Sequence, residues 1–80
     1  MSRREKAIAR WGNNPKSVRF EDVDALLLHL GFTKRQGGTS HAVYTLRTYR
    51  ITIPYRRPFI REAYVKTLLQ LLDEMDQSED

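Results

Sequence analysis

Two stretches of the chain carry apolar residues at helical spacing. In residues 20–30 the apolar side chains lie at positions 20, 23, 26, 27 and 30, and Gly31 follows where a helix would end. In residues 60–75 a second stripe lies at positions 65, 68, 69 and 72. Because side chains three and four positions apart share one face of an α-helix, each stretch is predicted to be an amphipathic helix packed on a core.

A shorter helical pattern precedes them. Residues 3–11 place Ala7, Ile8 and Trp11 at helical spacing, and the Gly-Asn-Asn-Pro run at 12–15 stops the helix. A helix this short is marginal alone, so it either packs on the domain or frays. We therefore divide the chain into an N-terminal extension at residues 1–16, a domain at 17–76 and a frayed acidic tail at 77–80.

The segment between the two long helices is predicted to form three strands, at residues 32–36, 41–46 and 50–54. Thr, Val, Ile and Tyr dominate the last two strands, and short polar linkers separate the three, as in antiparallel hairpins. In the middle strand, alternation puts residues 42, 44 and 46 on the more apolar face, and His41 with residues 43 and 45 on the other. In the last strand it puts residues 51 and 53 on one face, and residues 50 and 52 on the other. The predicted order is α-α-β-β-β-α, an α+β fold with two helices on one face of a three-stranded antiparallel sheet and an extra short N-terminal helix.

Composition narrows the class of protein. Eighty residues make a single small domain, and the absence of cysteine excludes disulfides and thiolate chemistry, as is compatible with a reducing cytoplasm. No apolar run approaches the roughly 18 residues of a membrane span, so we expect a cytoplasmic protein without a membrane partner.

The charge is unevenly distributed. The net charge is +4, but residues 32–66, here called the basic segment, hold eight bases and one acid, whereas residues 67–80 hold five acids and no base. Clustered arginines attract polyanions, so the pattern favours nucleic-acid binding. The residues predicted to bind RNA are Lys34, Arg35, Gly38, Ser40, Arg50, Arg56 and Arg57.

One residue of the basic segment has the chemistry of a catalyst. His41 opens a strand directly after Gly37 and Gly38, and histidine exchanges protons near neutral pH. Glycine lets backbone amides approach a phosphate closely, although the spacing is not that of a P-loop. Ser40 and His41 point to opposite faces and form no nucleophile–base pair. His29 is expected to be a solvated helix residue, and no metal site or cofactor is expected.

At this point residues 20–74 resemble the HicA (YcfA-like) toxins of toxin–antitoxin systems. The features that carry the resemblance occur in order: Leu30-Gly31-Phe32, Lys34-Arg35-Gln36, Gly37-Gly38-Thr39-Ser40-His41, Tyr44, Ile51-Thr52-Ile53-Pro54, Pro58 and Tyr64-Val65-Lys66 before the last leucine-rich helix. This chain departs from the family pattern at Thr39, because family members often have Gly-Ser-His, whereas here Thr39 stands between Gly38 and Ser40.

The resemblance implies a double-stranded-RNA-binding-like α-β-β-β-α fold and a metal-independent endoribonuclease that cleaves mRNA with His41. It also implies inhibition by a HicB-type antitoxin. In the mechanism we expect, His41 is the general base or acid for the ribose 2′-OH, and Lys34, Arg35 and Arg50 are the nearest cations. The sequence identifies no second proton-transfer group, a role in which Tyr44 or water could serve.

Two other readings remain at this point. The same basic face could belong to a non-catalytic RNA- or DNA-binding module, with salt-dependent binding and no strand scission. It could also belong to a protein-interaction module that docks on an acidic partner.

Overall fold

The computed structural model describes residues 2–36 and 40–77. Its elements, in chain order, are α1 (Arg3–Asn13), α2 (Phe20–His29), β1 (Thr33–Arg35), β2 (His41–Leu46), β3 (Tyr49–Pro54) and α3 (Glu62–Gln77). The α-α-β-β-β-α order and the three-stranded antiparallel sheet confirm the predicted α+β fold. Among the described residues, none of the helices has both the length and the apolar character needed to cross a membrane.

The end of α2 shows why its boundary was readable. Gly31 has a φ of +100°, the left-handed region that glycine adopts without a Cβ clash. Its N–H donates to the carbonyl of Leu28, and the N–H of Phe32 donates to the carbonyl of Leu27. This is the Schellman arrangement, and the buried Phe32 then leads the chain from the helix into β1.

The sheet has the order β1-β2-β3, with β2 in the middle. Leu46 is opposite Tyr49, so the β2–β3 hairpin turns through two residues, of which Arg47 has a φ of +56°. At the other end the N–H of Tyr55 donates to the carbonyl of Ser40 at 2.7 Å, which extends the ladder by one residue. The register is therefore held at both ends of the hairpin.

The predicted alternation of β2 and β3 is confirmed. Residues 42, 44, 51 and 53 are buried and belong to one core with the helices, whereas His41, Thr45 and Arg50 are exposed. The helices thus cover one face of the sheet, and the other face is left to solvent.

The N-terminal helix packs on the domain. Trp11 is 5% exposed and belongs to the same core as the sheet residues. The guanidinium of Arg4 lies 2.9 Å from the carboxylate of Asp76, near the end of α3. α1 therefore contributes to the core of this fold.

Candidate functional site

The candidate site lies on the sheet face that the helices leave uncovered, here called the open face. Its residues, in cross-strand rows, are His41 with Pro54; Arg35 with Val43 and Thr52; and Thr33 with Thr45 and Arg50. The rows follow from the register, because strand residues two apart point to the same side. The open face therefore combines polar side chains with two arginines and one histidine.

His41 lies at one end of the open face and its side chain is exposed. It is the first residue of β2 and is opposite Pro54 on β3. The hydrogen bond from Tyr55 to Ser40 fixes the backbone on its N-terminal side. Ser40 is exposed and lies at a bend directly before β2.

Two arginines lie near this end of the sheet. Arg35 is opposite Val43, so it is the diagonal neighbour of His41, at a Cα separation of roughly 7–8 Å. Arg56 is exposed and follows Pro54 by two residues, a span of at most about 7 Å. Both guanidinium groups can therefore approach a phosphate held next to His41.

Arg50 lies at the opposite end of the open face. It is opposite Thr45, which is four residues from His41, or about 13 Å along the strand. Arg50 is thus not among the cations nearest to His41, contrary to the expectation from sequence.

Lys34 lies on the core-facing side of β1, opposite the buried Tyr44. Its Nζ is 2.8 Å from a carboxylate oxygen of Asp24 on α2 and 5.5 Å from the ring centroid of Phe20. The expectation that Lys34 would lie beside His41 is therefore not met, because Lys34 and Arg35 are consecutive strand residues and point to opposite faces.

Asp24 joins α2 to the sheet. Tyr44 is 0% exposed, and its hydroxyl donates to Asp24 at 2.6 Å. Burial alone would raise the pKa of Asp24, but the hydrogen bonds from Lys34 and Tyr44, with the charge of Lys34, bring that pKa below its ordinary value. Burial raises the pKa of Tyr44, and the Asp24 carboxylate raises it further. Tyr44 is therefore a structural residue, and the expectation that it could transfer a proton at the site is wrong.

The segment after β3 presents an aromatic ring beside a cation. Tyr55 is 37% exposed, and its ring packs edge-on against Phe20 with centroids 5.1 Å apart. Arg57 donates from its Nε to the Tyr55 hydroxyl, and its guanidinium carbon is 5.8 Å from the ring centroid. Arg57 is thus directed toward Tyr55. Gly38, which was predicted to bind RNA, lies outside the described residues, as do Gly37 and Thr39.

The remaining titratable residues that the structure describes form no metal-binding cluster. His29 is exposed at the end of α2, on the helical side of the sheet. Within residues 2–36 and 40–77 no group of three His, Asp or Glu side chains is arranged to hold a metal ion. The chemistry available on the open face is that of an imidazole with flanking guanidinium groups.

From the sequence, no role was assigned to Asp24. The structure places Asp24 on α2 and against β1 and β2. A signal existed in principle, because Tyr44 carries a polar hydroxyl at a position that alternation assigns to the apolar face, where a hydrogen-bond partner is needed. Comparisons with protein-family models, with curated proteins and with solved structures gave no match to this chain.

Proposed function

We propose that this protein is a metal-independent endoribonuclease of the kind that the HicA family represents, with His41 as its proton-transfer residue. The observation that carries the proposal is the exposure of His41 on the open face, diagonal to Arg35 and within the basic segment. A histidine kept only for packing would lie among the apolar residues of the core.

The reaction uses the nucleophile that RNA itself carries. His41 removes the proton of a ribose 2′-OH, and the 2′-oxygen attacks the adjacent phosphorus. The bond from phosphorus to the 5′-oxygen breaks, and the leaving oxygen takes a proton from water, since Tyr44 is buried. The products are a 2′,3′-cyclic phosphate and a 5′-hydroxyl end.

The guanidinium groups supply the electrostatic part of catalysis. Arg35 and Arg56 stabilise the negative charge that develops on the non-bridging phosphate oxygens. Arg50, at the far end of the open face, holds a neighbouring phosphate and fixes the register of the strand. Tyr55 and Arg57 follow β3, but Tyr55 packs on Phe20 of α2, so this pair lies toward the helical side and has no part in the proposed step.

The proposal includes two partners, mRNA and an inhibitory HicB-type antitoxin. A basic open face suits both, because a protein inhibitor could cover it with acidic side chains. An RNA substrate of this kind places the proposed activity in the cytoplasm.

A cleavage assay on end-labelled RNA tests the proposal. We expect His41→Ala to lower the cleavage rate by about 10²–10⁴-fold while RNA binding is retained. His29→Ala is the matched control, because His29 is exposed but lies on the helical side, and it should cleave as the wild type does. Chelation of divalent metals should leave cleavage unchanged.

Three outcomes would contradict parts of the proposal. Undiminished cleavage by His41→Ala would remove the catalytic role of this residue. Cleavage of an all-deoxy substrate would remove the 2′-OH mechanism. Salt-dependent RNA binding by the wild type without any scission would favour a non-catalytic RNA-binding module.

A further inference from the structure

A groove of about 260 Å³ lies between α1 and α2, away from the open face. Its apolar lining comes from Ala7 and Trp11 on α1 and from Ala25 and Leu26 on α2. Trp11 and Leu26 are each 5% exposed and form the floor, whereas Ala25 is exposed at the edge. A space of this kind accepts apolar side chains from outside.

The rim of the groove is strongly basic on its α1 side. Arg3, Lys6 and Arg10 line it, all three are exposed, and within the described part of the chain none of them takes part in an ion pair. Their spacing spans about 10 Å along the helix axis at 1.5 Å per residue. On the α2 side the rim carries one acid, Asp22. None of these four residues belongs to the proposed RNA site.

We propose that this groove docks an acidic amphipathic helix of a partner protein. A helix with carboxylates at positions i, i+3 and i+7 repeats the spacing of Arg3, Lys6 and Arg10, since both elements rise by the same amount per residue. An apolar side chain between those carboxylates would fill the space over Trp11 and Leu26. A basic residue on the other side of the partner helix would face Asp22.

The same observations disfavour nucleic acid as the occupant. Single-stranded bases bind on exposed aromatic faces, but Trp11 is 5% exposed and offers no such face. Asp22 would also repel a phosphate backbone that followed the groove. The partner is therefore a protein whose carboxylates contact the basic residues of α1 and whose apolar side chains pack on the floor of the groove.

The proposal does not depend on the nuclease proposal. The groove lies between two helices on the covered side of the sheet, whereas His41 lies on the open face. A partner bound at the groove would leave the open face accessible. Groove variants and His41 variants should therefore affect different measurements.

A binding assay with designed peptides tests the docking site. The probe is a fluorescein-labelled synthetic helix with glutamates at i, i+3 and i+7 beside a leucine stripe, and the control peptide has glutamine at the same positions. Binding is followed by anisotropy and by the fluorescence of Trp11, the single tryptophan of the chain. We expect the glutamate peptide to bind and the glutamine peptide to bind at least about fivefold more weakly.

Charge reversal locates the bound peptide. Lys6→Glu and Arg10→Glu should each weaken binding about tenfold, because each change removes one attraction and adds one repulsion. Lys16→Glu is the matched control, since Lys16 is exposed but does not line the groove, and its affinity should stay within about twofold of the wild type. RNA cleavage by all three variants should equal that of the wild type.

The proposal is overturned by any of three results. The first is no binding of the glutamate peptide up to millimolar concentration at low salt. The second is an equal loss of affinity in Lys16→Glu and in the groove variants. The third is a single-stranded oligonucleotide that loses affinity in Lys6→Glu and Arg10→Glu, which would assign the groove to nucleic acid.

Discussion

The hydroxyl of Tyr44 offers a quantitative test of how α2 is joined to the sheet. Tyr44→Phe keeps the ring in the core and removes only the 2.6 Å hydrogen bond to Asp24. Hydrogen bonds to charged groups contribute about 1.5–3 kcal/mol. The Asp24 side chain is 22% exposed and keeps its 2.8 Å contact with Lys34, so we expect the lower end, about 1.5 kcal/mol. For a domain of this size that loss lowers Tm by roughly 6–12 °C.

The pH dependence has a definite sign. The pKa of Asp24 in the folded protein is below its ordinary value of 3.8, so folding favours the charged carboxylate. The resulting stabilisation is fully present above the ordinary pKa and is lost as the pH falls through the folded-state pKa. The difference in the free energy of unfolding between the wild type and Tyr44→Phe should therefore shrink as the pH falls through the folded-state pKa of Asp24, because the Tyr44 hydrogen bond of the wild type then joins two neutral groups.

Urea unfolding followed by the fluorescence of Trp11 measures both quantities. Tyr64→Phe is the matched control: Tyr64 is only partly buried, and within the described residues its hydroxyl has no hydrogen-bond partner. We expect this control to change the free energy of unfolding by less than about 0.5 kcal/mol. A double-mutant cycle with Asp24→Asn should give a coupling energy of about 1 kcal/mol. Equal stability of Tyr44→Phe and wild type at neutral pH, or the same loss at neutral pH and at a pH below the folded-state pKa of Asp24, would refute the reasoning.

Three further predictions concern the core and the open face. Leu68 on α3 is 0% exposed, so Leu68→Ala should lower the free energy of unfolding in urea by about 2–5 kcal/mol. The exposed Gln70 is the control, and Gln70→Ala should lower it by less than about 0.5 kcal/mol. Equal effects of the two variants would argue against the described packing of α3. Trp11→Ala should lower the free energy of unfolding by about 3–5 kcal/mol, measured by unfolding followed with circular dichroism, because this side chain belongs to the core. A change near zero would show that α1 is dispensable for stability. Arg50→Ala should reduce the slope of log affinity for RNA against log salt by about 0.7, whereas Lys16→Ala should leave it unchanged; identical slopes for both variants would remove Arg50 from the RNA interface.

Local patterns accounted for most of the fold. The helical stripe of residues 20–30, its exit at Gly31, and the alternation of β2 and β3 were all readable from the sequence and are found in the structure. Periods of 3.6 and 2 residues are properties of short stretches, and they state which side chains share a face. The exposure of His41 followed from the same alternation.

The composition of the candidate site was only partly readable. The sequence placed Lys34, Arg35 and Arg50 together as cations of one segment, but the register puts Lys34 on the core side and Arg50 at the far end of the open face. Charge counting treats neighbours in sequence as neighbours in space. Adjacent residues of a strand point to opposite faces of the sheet, and two residues that are four positions apart are separated by about 13 Å along the strand.

The sequence by itself determined the elements, their order, the faces of the strands and the basic character of the segment around His41. Only the tertiary structure decided that α1 joins the core and that Asp24 holds Tyr44 and Lys34. The pairs involved are distant along the chain: Arg4 and Asp76 are 72 residues apart, and Asp24 and Tyr44 are 20 apart. Local periodicity carries no information about such pairs, because they form only when packing of the whole chain brings the elements together.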